Sequence, residues 1–293
     1  MRVSLFHTII PSFIRVPLAI LFRKLGITTA VQSALCISEC KKLACDFKST
    51  GLDHSKSKVL IICAHYNHLD WLPGCVDSVL AQTHSNLQLL IVDDCSSAEG
   101  ARETIATQRS RDPRIKAIVL EENSGAYVAR NTAFEAADSD WTHVTFIDPD
   151  DQAYPGWLEH CLDVLGSSEG SVRPVLERWK EDFSKMKSMY FGFCQSLHSR
   201  NAFERAGGFL NVRVSGDAEL MLRLNLLSDD GTTVIKKSFK PAQKMRLHDA
   251  SASQNALKER KLWLEKRSRG LKGVSSNELR EIPTTSAWQD CNP

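Results

Sequence analysis

No glycine-rich phosphate loop follows the first apolar, β-rich run of this chain. Neither GxGxxG nor GxxxxGK(S/T) stands there, which disfavours a dinucleotide Rossmann site and a P-loop alike. The nine cysteines form no CxxC pair and keep no regular spacing, so neither a disulfide framework nor a zinc site is indicated. A reducing cytosol fits them. The net charge is only +2, too small to imply a nucleic-acid partner, although basic residues gather from Arg15 to Lys48 and from Lys258 to Lys272. An unbroken apolar run of membrane-spanning length is missing as well. The apolar beginning, Leu5 to Phe22, contains Pro11, Arg15 and Pro17, is followed by Arg23 and Lys24, and leads to no small-residue cleavage site. It reads as a helix packed on the protein, or as one lying on an anionic membrane surface through residues 5–24. The expected location is cytoplasmic, with peripheral contact at the inner face of the membrane as the second possibility.

What is present is an ordinary globular composition, 42% hydrophobic and 25% charged over 293 residues, enough for one large core or two modest ones. Its most unusual stretch is Asp148-Pro149-Asp150-Asp151, which closes the apolar run Trp141 to Ile147. Three carboxylates at the end of a short β-rich run repel one another unless a cation lies among them, and hard ions such as Mn2+ or Mg2+ prefer oxygen ligands. An acidic turn is the plain alternative, since Asp and Pro are common turn residues.

Residues 1–55 read as a helical extension that ends in a polar link, Ser49 to Lys58. From there β-rich and helical runs alternate: strands at Val59–Cys63, Leu87–Val92, Ile115–Leu120 and Val144–Ile147, and helices at Leu72–Gln82, Ala98–Arg109 and Ala126–Ala137. This alternation predicts an α/β fold with a mainly parallel sheet flanked by helices, and such sheets bind ligands at the carboxyl ends of their strands. The unusual residues fall at those ends. They are Ala64-His65-Tyr66-Asn67, then Asp93-Asp94-Cys95-Ser96, then Asn123-Ser124-Gly125, then the acidic tetrad. An aromatic face, paired carboxylates and a glycine turn suit a nucleotide pocket.

Beyond the tetrad a helix is expected at Trp157–Leu165, and then a polar, variable excursion from Gly166 to Met189. A strand-like run follows at Tyr190–Leu197, then a short helix ending on Gly207-Gly208, and an amphipathic helix opened by Gly216-Asp217. Asp217 is either a first-turn carboxylate favoured by the helix dipole or a general base. A strand is expected at Val234–Phe239, with His248 among polar residues after it. A basic helix and a mobile tail complete the chain over 254–293.

In order and spacing, Ile61 to Asn67, Ser78 to Thr83, Leu90 to Ser96, Asn123 to Gly125 with Ala129-Arg130-Asn131, Phe146 to Asp151, Ala206 to Phe209, and Gly216-Asp217 with Arg223 resemble the family 2 glycosyltransferases of GT-A fold. The resemblance covers roughly residues 58–253. It implies a nucleotide-sugar half at 58–152 and an acceptor half at 153–253. The function it implies is inverting transfer from a nucleotide-diphosphate sugar, such as a UDP-sugar, to a glycan or lipid-linked acceptor in surface-glycan synthesis. By the same resemblance the donor site would comprise Ala64, Tyr66, Asn67, Asp93, Asp94, Gly125, Arg130 and Asp148. Asp150, Asp151 and His248 would hold Mn2+ or Mg2+, and Asp217 would be the base.

Three positions depart from the family pattern. Ala64 replaces a usual Pro, which loosens the turn. Gly216 replaces the Glu that usually precedes the base, which brings in Glu219 as a substitute. Arg178-Trp179 resembles half of the QxxRW signature of processive synthases, but the Gln is absent and the pair precedes the base. A nucleotide-binding scaffold without transfer activity and a nucleotidyltransferase are the alternative functions.

Overall fold

All seven residues of the first strand, Val59–His65 (β1), are buried. A run of Val, Leu, Ile and Cys with no polar alternation needs cover on both faces, and the sheet provides it. In this computed structural model the structure describes residues 52–248, 257–271 and 274, the side chains of 257–260 excepted. The helical reading of 1–51, the membrane-contact segment 5–24 and the tail beyond 274 lie outside the described residues.

β1 lies between β2 (Leu87–Asp93) and β4 (His143–Phe146), parallel to both, and β3 (Ile115–Val119) extends the parallel set beyond β2. Leu60, Ile62 and Ala64 point to one face, under α3 (Ala126–Ala136), and Val59, Ile61 and Cys63 to the other, against α1 (Leu72–Leu80). Each fully buried aliphatic side chain of this kind contributes about 1.5–3 kcal/mol. The remaining link, α2 (Ala101–Ser110), joins β2 to β3. The carboxyl ends of four parallel strands therefore share one edge, where β1 and β2 end with His65 opposite Asp93.

The second half continues the sheet in mixed order. β5 (Gln152–Ala153) and α4 (Trp157–Leu165) lead to β6 (Gly170–Lys180), β7 (Met186–Phe191) and β8 (Leu197–Ser199). Then come α5 (Arg200–Ala206), α6 (Gly216–Asp229), β9 (Val234–Leu247) and α7 (Leu257–Gly270). The strand order is β3-β2-β1-β4-β8-β6-β9-β5, with β7 paired to β6. β8 joins β4 and β6 in antiparallel fashion, whereas β6 and β9 run parallel.

Three local expectations change. The Gly166–Met189 excursion contains the eleven-residue strand β6, whose Val172, Val175 and Leu176 are fully buried. Pro174 and the charged Arg173, Glu177 and Arg178 hide that pattern in the sequence, and the register shifts beside Pro174, as a bulge there must. β9 runs on through Pro241 to Leu247 instead of ending at Phe239, again across a register shift. The expected Tyr190–Leu197 strand is two strands separated by Gly192–Ser196.

Candidate active site

At the ends of β1 and β2, three groups lock together. His65 Nδ1 lies 2.7 Å from Asp93 Oδ1, and Ser96 Oγ donates to the same oxygen at 2.5 Å. Burial alone would raise the Asp93 carboxyl, but these bonds outweigh it and hold the group below its ordinary value. Asp94 is clasped differently, its two oxygens accepting the backbone N–H groups of Ser124 and Gly125 at 2.8 Å each. Gly125, at φ 93°, gives the backbone the turn that presents both N–H groups. A carboxylate has about four acceptor positions, so Asp94 retains capacity for a base N–H.

Asn67 braces the same rim. Its Oδ1 accepts from the backbone of Ser97 and Ala98 at 2.9 and 3.0 Å, and its backbone takes the left-handed φ of 60° that Asn tolerates. Tyr66 beside it is 42% exposed, an open ring at the mouth. Ala64 is not in a turn at all: it is a strand residue opposite Val92, and its methyl joins the core beneath α3.

The acidic tetrad divides its work. Asp148 Oδ1 receives Arg130 Nη2 at 2.6 Å, and the Arg130 guanidinium lies 5.2 Å from the Tyr127 ring centroid. Burial, and after it the nearby Asp150 and Asp217, push the Asp148 carboxyl above its usual range, while Arg130 pulls it back. Asp150 Oδ2 faces His248 Nε2 at 2.9 Å, so residues far apart in sequence meet where a cation was expected. Asp151 is turned into the structure, 2% exposed, with Oδ1 accepting the Arg246 backbone N–H at 2.9 Å. Burial, then Asp150 and Asp148, push its carboxyl well above the usual range. Among the described residues no three His, Cys, Asp or Glu side chains group as ready-made ion ligands.

Asp217 opens α6, and Tyr127 Oη donates to its Oδ1 at 2.8 Å. Burial and then the Asp217 charge push the Tyr127 phenol well above its ordinary value, which keeps it a donor. Gly216 leaves the space: a Cβ there would stand 2.8 Å from the Tyr127 ring. Glu219, the substitute the sequence offered, is placed differently from Asp217. Fully buried, it is held by Arg223 at 2.6 Å and by Arg267 of α7 at 3.0 Å.

Sequence reasoning missed Tyr127, His68, Trp71 and Arg246. Tyr127 and Arg130 are three apart on α3 and so share a face, a signal that was open to reading. His68 stacks on Trp71 at 5.2 Å, Trp71 lies 4.7 Å from His248, and Arg246 Nε donates to Asp150 O at 3.0 Å. These contacts wall the Asp150–His248 pair.

The putative teichuronic acid biosynthesis glycosyltransferase TuaG of Bacillus subtilis is 41% identical over 110 residues, 38% of this chain and 42% of that protein. The teichoic acid poly(glycerol phosphate) polymerase of Staphylococcus epidermidis is 26% identical over 49% of this chain and 20% of its own length. The match thus spans less than half of either relative. The structure of S. aureus TarS 1-349 in complex with UDP-GlcNAc superposes with a TM-score of 0.57 at 15% identity, over 68% of this chain and 61% of that one. At that identity the likeness is one of fold. The family model described as glycosyl transferase family 2 matches residues 60–212, just over half of the chain, and the chain belongs to that family.

Proposed function

We propose that this chain is an inverting transferase that moves a sugar from a UDP-sugar to a hydroxyl of a glycan or lipid-linked acceptor in surface-glycan synthesis. One observation carries the reading: Asp217, held by Tyr127, is linked through the Arg130 guanidinium over the Tyr127 ring to Asp148, beside Asp150, at the carboxyl edge of the sheet. Two related structures, of S. aureus TarS, hold UDP-GlcNAc and UDP, which supports the donor class. The relatives' names support the acceptor class.

The donor's base would lie against the open Tyr66 ring with Asp94 at its edge, and its ribose beside Asp148 and Arg130. In the transfer step an acceptor oxygen attacks the anomeric carbon as the bond from that carbon to the diphosphate breaks on the opposite side. Asp217 takes the acceptor proton, and the bonding pair leaves with the diphosphate. Tyr127 fixes the orientation of Asp217 while this happens.

Asp150 and His248 suit a divalent cation, because such an ion commonly takes one or two protein carboxylates and completes its shell from substrate phosphate and water. Bound there it would offset the charge of the leaving diphosphate. Asp151 has a different part in this reading, anchoring β9 beneath the tetrad through Arg246. Gly216 does not favour an inactive scaffold, since its missing side chain is accounted for by the Tyr127 ring.

The test is a hydrolysis screen of UDP-, GDP- and dTDP-sugars with Mn2+, reading released nucleotide. Release from a UDP-sugar alone is expected. Release only from GDP- or dTDP-sugars would overturn the donor assignment, and release from none would favour the scaffold.

A further inference from the structure

Five cations on β6 and β9 are held over aromatic rings without carboxylate partners among the described residues: Arg178, over Tyr190, and four others. Arg173 lies 4.4 Å from the Phe193 ring centroid, and Lys237, opposite Arg173 in the register, lies 4.9 Å from Phe191. Further along β9, Lys244 is 5.3 Å from both Tyr154 and Trp179, and Arg246 is 4.2 Å from Phe183. Among the described residues none of the four forms an ion pair. The carboxylate opposite Lys244, Glu177, is buried and occupied by Tyr154 Oη at 2.6 Å and Trp179 Nε1 at 2.9 Å. Glu181 and Asp182 lie outside the strands, in the β6–β7 turn.

A cation set over a ring is fixed in place yet keeps its charge for a ligand, unlike one neutralised by a carboxylate. The two pairs are separated by an apolar centre of Val175, Met189 and Phe239. From Lys237 to Arg246 the strand covers on the order of 30 Å, long enough for several sugar units. The Arg246 end reaches the reaction site, and the Phe193 end lies next to a residue that feels the charges of that site. Arg246 donates to the Asp150 carbonyl, and Cys194, next to the 38% exposed Phe193, lies within reach of the charges of Arg130, Asp148 and Asp217.

We propose that this cation–aromatic face binds the acceptor, and that the acceptor is an anionic glycan whose carboxylate or phosphate groups meet Arg173, Lys237 and Lys244. The inference rests on the transferase reading above and supplies the substrate class of its second site. The rings flank the apolar faces of the sugars while the cations set their spacing, so affinity combines a salt-sensitive part with a salt-insensitive one.

The experiment uses the full chain, with fluorescently labelled oligomers of poly(glycerol phosphate), of polygalacturonate and of neutral dextran, and reads polarisation at rising salt. UDP binding is followed in parallel. Binding of at least one anionic oligomer, weakened by salt and at least about tenfold stronger than that of dextran, is expected, and which of the two binds tells phosphate from carboxylate. Lys237→Glu should cost about tenfold in that affinity, with UDP binding and melting temperature unchanged, and Lys237→Arg should retain it. Equal binding of dextran, an unaffected Lys237→Glu, or no binding of either anionic oligomer by a chain that binds UDP would overturn the proposal while leaving the transferase reading intact. Loss of UDP binding in the unaltered chain would instead count against that reading and, with it, this one.

Discussion

Tyr127 Oη donates a hydrogen bond of 2.8 Å to Asp217 Oδ1, across 90 residues of chain. The bond exists because α3 presents Tyr127 and Arg130 on one face and because Gly216, immediately before Asp217, has no side chain to displace the ring. A hydrogen bond to a charged group is worth roughly 1.5–3 kcal/mol. Tyr127→Phe is therefore expected to lower kcat by about tenfold or more with the affinity for UDP nearly unchanged, as steady-state kinetics with calorimetry would show. Equal turnover in the variant would mean that Asp217 needs no such support.

Gly216→Ala offers the complementary change. The new Cβ would meet a buried ring at 2.8 Å, well inside ordinary contact, so the ring or the first turn of α6 must move. Overpacking of this kind costs about 1–3 kcal/mol. A lower melting temperature together with reduced turnover is expected, as thermal melts and kinetics would show, and unchanged melting and turnover would mean that the first turn of α6 has room for a Cβ.

Asp217 and Glu219 should separate cleanly. Asp217→Asn is expected to lower turnover by roughly 10² to 10⁴-fold with the fold intact, the range typical of a lost general base. Glu219→Gln strips the charge that faces Arg223 and Arg267 in a fully buried place, and breaking such a network costs on the order of 3–5 kcal/mol. Thermal melts and kinetics on both variants decide it. An active Asp217→Asn with a stable, inactive Glu219→Gln would reverse the assignment.

Burial also sets a pH dependence. It lowers the pKa of His143 to about 4 and that of His198 to about 3, against about 6.5 for an exposed imidazole. Below about pH 6.5 the unfolded chain binds these protons and the folded chain does not. The stability contributed by the neutral forms is thus complete above about pH 6.5 and is lost as the pH falls towards 4. The melting temperature should drop between pH 7 and pH 4.5, and less steeply in His143→Gln. An unchanged slope in that variant would remove His143 from the explanation.

The parallel half of the sheet was legible because β1 and β2 are strongly apolar runs, and the strand ends announce themselves in Asp93-Asp94 after β2 and in the acidic tetrad after β4. The mixed half was not. Pro174 and Pro241 interrupt β6 and β9, and their bulges are tolerated only because neighbouring strands fix the register. Site residues were legible as strand-end polar groups, but their partners were not. Asp94 binds N–H groups thirty residues away, Asp151 meets the backbone of Arg246, and His248 reaches Asp150 across 98 positions. Such pairings follow from the closing of the sheet and leave no local pattern. Gly216 shows the same limit, because a missing side chain reads as a lost function until the ring that fills its space is seen.

The central claim is that Asp150 and His248 hold a divalent cation against the donor's diphosphate. Titration calorimetry of UDP into the full chain, once with Mn2+ and once with chelator, tests it most directly when repeated on Asp150→Ala. Binding that needs Mn2+ in the unaltered chain and vanishes in the variant, with an unchanged melting temperature, is the expected result. UDP binding of equal strength in chelator, or undiminished in Asp150→Ala, would contradict it.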